Sequence, residues 1–113
     1  MHERPDLRWV HPGEVLLNKY LFPLNISDRA LARALNVSPS RITQIVSGAH
    51  AVTADTDIRL SRYFGTPPGF WLHLQAQCEV MKALPRMQET LAAIAPFNAW
   101  DVKPRPPSDF FSL

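Results

Sequence analysis

SDRALARALNVSPSRITQIVSG, residues 27–48, is the stretch whose reading decides the fold. It predicts two short helices joined by a tight turn. Ser27 has the short oxygen-bearing side chain of an N-cap, and Ile26 before it and Leu31 after it have the spacing of a hydrophobic staple. Ser38 repeats the device with Val37 and Ile42. Pro39 follows at the first helical position, where its missing N–H costs nothing and its fixed φ is already helical. Gly48 supplies a left-handed stop. Leu31, Leu35, Ile42, Ile45 and Val46 recur at helical spacing and give each helix one side to bury, while Ala32 is small where two helices must approach. The turn needs a residue that tolerates positive φ, and Asn36 is the least costly choice after glycine.

An ordinary αα-hairpin in a helical core would bury the same leucines and isoleucines. It does not account for the outward side of the second helix, where Ser40, Arg41, Thr43, Gln44 and Ser47 are polar and uncluttered by acids. These residues can reach base edges or phosphates, as the second helix of a DNA-reading helix-turn-helix must. With Ser38 and Pro39 at its start, residues 38–44 form the end directed at the major groove. Gln44 has the amide geometry to pair with adenine, and Arg41 can grip a guanine edge or a phosphate. Ser40 and Thr43 suit phosphates or a thymine methyl. The expected DNA-binding set is therefore Ser38, Pro39, Ser40, Arg41, Thr43, Gln44 and Ser47.

Around this unit, 113 residues are enough for one domain with a real core. The formal charge of +2 is weakly basic, so local charge carries the case for a polyanionic partner. Within 27–48, Arg29, Arg33 and Arg41 stand against Asp28 alone. The single cysteine, Cys78, excludes an internal disulfide and suits a reducing compartment. No apolar run approaches the ~20 residues of a membrane span and no secretory signal heads the chain, so the expected location is cytoplasmic, with no membrane partner.

Residues 1–12 read as an N-terminal arm docking through Trp9 and Val10, with Arg4 and Arg8 solvated or touching phosphate. From Pro12 the chain turns helical, with Val15, Leu16, Tyr20 and Leu21 inward and Pro23 as the expected stop. After Gly48, Thr53 is the cap of a helix with Asp55 and Asp57 in its first turns, where the dipole favours acids. Two aspartates two positions apart lie on different sides of a helix and do not converge on one metal ion. Ile58, Leu60, Tyr63 and Phe64 are its core candidates, Arg59 and Arg62 are expected in solvent or on phosphate, and Gly65 ends it.

A fifth helix is expected from Thr66 to Leu84, with Phe70, Leu74, Met81 and Leu84 along one apolar stripe and Leu72, Ala76, Val80 and Ala83 along another. A helix apolar on two sides is buried twice, here against a second copy of the chain. Pro85 kinks or breaks it. A short sixth helix follows, with Met87, Leu91 and Ile94 inward, and then a proline- and aromatic-rich tail. The expected domains are thus an arm (1–12), a DNA-binding and dimerisation domain (13–85) and a C-terminal extension (86–113). The four histidines lack metal-ligand spacing, and no nucleophile arrangement or phosphate-cradling glycine loop is present. No catalytic, cofactor or metal residues are expected, and the chain does not read as an enzyme.

The runs HPGEVLLNKYLFPL (11–24), SPSRITQIVSG (38–48) and TADTDIRLSRYFGTPPGFWLHLQ (53–75) resemble the HigA family of antitoxin repressors of toxin–antitoxin operons. The last run is more specific to that family than the helix-turn-helix. The resemblance implies an all-α, five-helix Cro/repressor-like domain, a homodimer, binding to a palindromic double-stranded DNA operator and neutralisation of a RelE-like ribonuclease toxin. Asn36 departs from the glycine usual in that turn, and the extension after about residue 85 matches no family motif. Two other functions fit the same residues: a stand-alone helix-turn-helix repressor without a toxin, and a helical protein-interaction module that uses the aromatic tail.

Overall fold

The computed structural model describes residues 10–98 and 100. The described residues are helical, without strands. A first helical stretch, α1, consists of an α segment Pro12–Val15, a π segment Leu16–Leu21 and an α segment Phe22–Leu24. Then come α2 (Asp28–Leu35), α3 (Pro39–Val46), α4 (Ala54–Phe64) and α5 (Phe70–Ala83), followed by a 3₁₀ turn (Leu84–Met87) and a short α6 (Gln88–Ala92). This is the expected five-helix domain with a short extra helix. Arg4, Arg8 and Trp9 of the arm, and the tail after Trp100, lie outside the described residues.

The caps are where local chemistry puts them. The Ser27 hydroxyl accepts the Ala30 N–H at 3.0 Å, that of Ser38 the Arg41 N–H at 3.3 Å, and that of Thr53 the Thr56 N–H at 3.4 Å. Asn36 takes φ 61° in the turn after α2, and the Val37 N–H reaches back to the Ala32 carbonyl at 3.0 Å. Gly65 closes α4 at φ 80°. One cap was not legible: the His11 Nδ1 accepts the Gly13 N–H at 2.8 Å and starts α1.

Leu16, Leu31, Ile42, Leu60 and Trp71 form the centre of the core, fully buried, with Leu21, Ala32, Leu35, Ile45 and Val52 around them. Tyr20 bridges α4 and α5 through ring contacts to Phe64 (4.7 Å between centroids) and Trp71 (5.3 Å). α1 packs on α3 and α5, so the first helix braces the second member of the helix-turn-helix. Gly13 lies so close to α3 that a Cβ there would collide with the Ile45 carbonyl.

Several expectations are corrected. Pro23 does not end α1; the helix runs on to Leu24 and stops at Asn25, φ 57°. The π segment makes this possible, because the Phe22 N–H bonds the Leu17 carbonyl five residues back. α5 starts at Phe70, not Thr66: Pro67 and Pro68 lie in the preceding turn, and Gly69 at φ 96° is the N-cap. Its inner stripe is Trp71, Gln75 and Cys78, which runs between the two stripes expected from apolar spacing. Ile58 (59% exposed) and Tyr63 (48%) are outside the core, since α4 buries Thr56, Asp57, Leu60 and Ser61 instead. Met87, Leu91 and Ile94 are exposed rather than inward. Pro85 sits in the 3₁₀ turn.

Two buried polar residues of α4, Asp57 and Ser61, are satisfied by the turn before α5 and by the start of α5 itself. Asp57 accepts the Gly69 N–H at 2.7 Å and the Leu72 N–H at 2.8 Å, supplying the acceptor that a glycine N-cap lacks. Trp71 Nε1–H donates to Thr66 Oγ1 at 3.1 Å, Thr66 to Ser61 at 3.1 Å, and Ser61 to the Pro67 carbonyl at 3.2 Å. Among the described residues no buried side-chain N or O atom is left without a partner.

Candidate nucleic-acid interface

With Ile42 and Ile45 buried and Val46 packed against the core, the 3.6-residue period of α3 leaves the polar side of the helix facing outward. Ser38, Pro39, Ser40, Arg41, Thr43, Gln44 and Ser47 are all exposed. They are not equivalent. Ser38, Ser40, Arg41 and Gln44 line one shallow depression with His50 and Thr56, while Thr43 and Ser47 are not among the residues lining it. Pro39 lines a different surface, beside Arg29 and Arg33 of α2. The helix N-terminus lies at this end, with its partial positive charge and free N–H groups.

Hydrogen bonding sorts the seven further. The Ser38 hydroxyl is committed to the cap and lies 3.3 Å from that of Ser40. Thr43 Oγ1 has two acceptors in reach, the Pro39 carbonyl at 3.1 Å and Asp28 Oδ2 at 3.3 Å. Ser47 closes the end of α3, donating to the Gln44 carbonyl and accepting the Ala49 N–H. Gln44 makes no side-chain hydrogen bond among the described residues, so its amide is available with both donor and acceptor. Arg41 is half engaged. Its Nη1 donates to Asp55 Oδ2 at 2.7 Å and to Thr56 Oγ1 at 3.4 Å, and neither bond uses Nε or Nη2.

Sequence reasoning missed the role of α4 here. Asp55, read only as an acid at a helix N-terminus, joins two arginines. Its Oδ2 also accepts the Arg59 Nε–H at 2.8 Å. These bonds, from Arg59 first and Arg41 second, hold the Asp55 carboxyl below its ordinary pKa. Arg59, expected in solvent or on phosphate, instead donates through Nη1 to the Leu35 carbonyl at 2.7 Å and to that of Asn36 at 3.4 Å. It thereby satisfies the carboxyl end of α2 and ties α4 to the turn. The available signal was the i, i+4 spacing of Asp55 and Arg59; nothing local marks Arg41 as the third member.

No group of three or more metal-ligating side chains is present among the described residues, and Asp55 and Asp57 face different neighbours. No described helix is long and apolar enough to cross a membrane.

The Helix-turn-helix family matches residues 19–71, which hold α2, α3 and their turn. Virulence-associated protein I of Dichelobacter nodosus is 49% identical over 74 residues, 66% of this chain and 68% of that protein. Antitoxin HigA-1 of Vibrio cholerae is 32% identical over 89 residues, 79% of this chain and 84% of that protein. Among solved structures, the Pseudomonas aeruginosa antitoxin HigA with the higBA promoter superposes with a TM-score of 0.74 at 37% identity, covering 80% of this chain and 99% of that one.

Proposed function

The chain belongs to the HigA family of helix-turn-helix antitoxins, and from that premise we propose that it is a dimeric operator-binding repressor that neutralises a RelE-like ribonuclease toxin. One observation carries the DNA-binding half. The outward side of α3 offers an uncommitted amide at Gln44 and a half-free guanidinium at Arg41, on a helix braced by α1 and capped at the end it would insert. In this reading Gln44 pairs with a base, Arg41 grips a guanine edge or a phosphate, and Ser40 and Thr43 contact the backbone or a thymine methyl. Ser38, Pro39 and Ser47 set the ends of the helix. Residues 13–85 form the DNA-binding domain and carry the start of the dimer seam, with 1–12 as an arm and 86–113 as an extension that continues the seam.

Dimerisation is supported by an exposed apolar row. Val80, Leu84, Met87, Leu91 and Ile94 recur at intervals of four and three from the end of α5, across the 3₁₀ turn and α6, to just beyond it, all exposed. Apolar side chains exposed in such a row are surface without a partner in the monomer. A second copy supplies one, and pairs two recognition helices for a palindrome.

The test is a titration on duplex DNA from immediately upstream of the protein's own reading frame, at several salt concentrations. The expected result is a Kd of about 10⁻⁸ M or tighter at physiological salt, with scrambled duplex at least about 10³-fold weaker. Equal affinity for both duplexes contradicts the assignment. The toxin half is tested by co-expression with a small basic protein encoded beside this chain. The antitoxin with both Arg41 and Gln44 changed to alanine still rescues growth if DNA and toxin use separate surfaces; a folded double variant that fails to rescue contradicts that separation.

A further inference from the structure

We infer that Asp55 is a specificity-determining positioning residue: it holds Arg41 by Nη1 so that the Nε/Nη2 edge faces DNA as a preset fork. The inference rests on the proposed reading of DNA by α3. Arginine recognises guanine best with two parallel N–H groups, and the edge made by Nε and Nη2 is such a pair. A free arginine samples many rotamers and sheds that freedom on binding. Here Asp55 Oδ2 at 2.7 Å and Thr56 Oγ1 at 3.4 Å engage one terminal nitrogen and leave the opposite edge open.

The anchor is itself held in place. Asp55 sits in the first turn of α4 and accepts from Arg59 at 2.8 Å, while Arg59 is bonded to the Leu35 and Asn36 carbonyls at the turn between α2 and α3. The chain Arg41–Asp55–Arg59 thus refers the fork to the backbone of the helix-turn-helix. A carboxylate beside a DNA-facing surface lowers attraction to any phosphate backbone. Its electrostatic effect on affinity is therefore opposite in sign to its orienting effect on base preference, and the two can be measured apart.

The experiment uses a duplex selected by the wild-type protein from a randomised pool and a scrambled duplex of the same composition. Wild type, Arg41→Ala, Asp55→Asn, Asp55→Ala and the double variants are titrated on both, with circular dichroism establishing that each is folded. The expected result is that Asp55→Asn and Asp55→Ala lower the preference for the selected duplex by about fivefold or more, the low end of what one bidentate base contact is worth. Binding to scrambled duplex stays level or tightens. In the Arg41→Ala background neither Asp55 substitution lowers the preference further. If both Asp55 variants tighten the two duplexes equally and leave the preference unchanged, Asp55 only repels phosphate and the inference is overturned. An equal loss of preference with and without Arg41 also overturns it, since Asp55 would then act through the fold. If Arg41→Ala itself leaves the preference intact, the DNA-reading role of Arg41 fails first, a result distinct from the other two.

Discussion

The helix-turn-helix and the end of the chain's described part solve the burial of apolar surface in opposite ways. In α2 and α3 every apolar stripe finds a neighbour within the monomer: Leu31, Leu35, Ile42 and Ile45 are buried, and the outer sides are polar. From Val80 to Ile94 the apolar row faces outward, and Phe97 and Trp100 beyond it are more exposed still. The first region is complete in one copy; the second is a surface. The same physics, apolar residues at helical spacing, therefore means core in one place and exposed surface in the other. Only the packing of α1, α4 and α5 tells which.

The largest expected effect is at Trp71, which α5 buries against Tyr20 and the core. Trp71→Ala is expected to cost about 3–5 kcal/mol, enough to unfold much of a domain of this size. Urea denaturation gives the number, and a loss below about 1 kcal/mol would mean that the core is not organised around this ring. Next comes Gly13→Ala. A Cβ there meets the Ile45 backbone rather than a side chain that can move aside, so a loss of about 1–3 kcal/mol is expected in the same measurement.

The exposed row behaves differently. Leu91→Ser is expected to leave the stability of the dilute protein within about 0.5 kcal/mol. It should raise the dimer dissociation constant by about tenfold, as loss of one buried leucine does. Sedimentation at several concentrations measures this, and unchanged association would contradict a dimer interface on α6.

The smallest expected effect is a pH dependence at the start of α1. Burial first, and then Lys82, lower the pKa of His11 from its ordinary 6.5, while Glu14 and Glu79 act the other way. Its Nδ1 must stay unprotonated to accept the Gly13 N–H. Between the lowered folded value and the ordinary unfolded one, the unfolded chain binds more protons. The contribution is therefore complete above about pH 6.5 and is lost as pH falls through the folded value. Urea midpoints at pH 7.5 and 5.5 should show this difference shrinking in His11→Ala.

What was legible in the sequence followed from how local each signal is. Ser27, Ser38, Thr53, Asn36 and Gly65 act within a turn of themselves, and each stands where its chemistry predicted. The π segment was hidden because Leu16 and Leu21, five apart, share a buried side only once the helix widens. The buried sides of α4 and α5 were misread because Thr56, Asp57, Ser61 and Gln75 lie on them. Polar residues at core positions break an apolar pattern, and several of their partners come from turns and from other helices. Asp57 finds Gly69 and Leu72, and Gln75 accepts the Val52 N–H at 3.1 Å. The outward set on α3 was legible residue by residue; the Arg41–Asp55–Arg59 chain was not, because it joins positions 14 and 4 apart in sequence across two helices and a turn.

The most direct test of the central claim, that the outward side of α3 reads DNA, is a paired titration of wild type and Gln44→Ala on the upstream duplex and a scrambled one across salt concentrations. Gln44 is the residue of that side whose side chain is uncommitted among the described residues. The expected result is a loss of about 1–3 kcal/mol on the upstream duplex, little change on the scrambled one and an unaltered salt slope, because a base contact and not a phosphate contact is removed. Equal losses on both duplexes, or none on either, would contradict it.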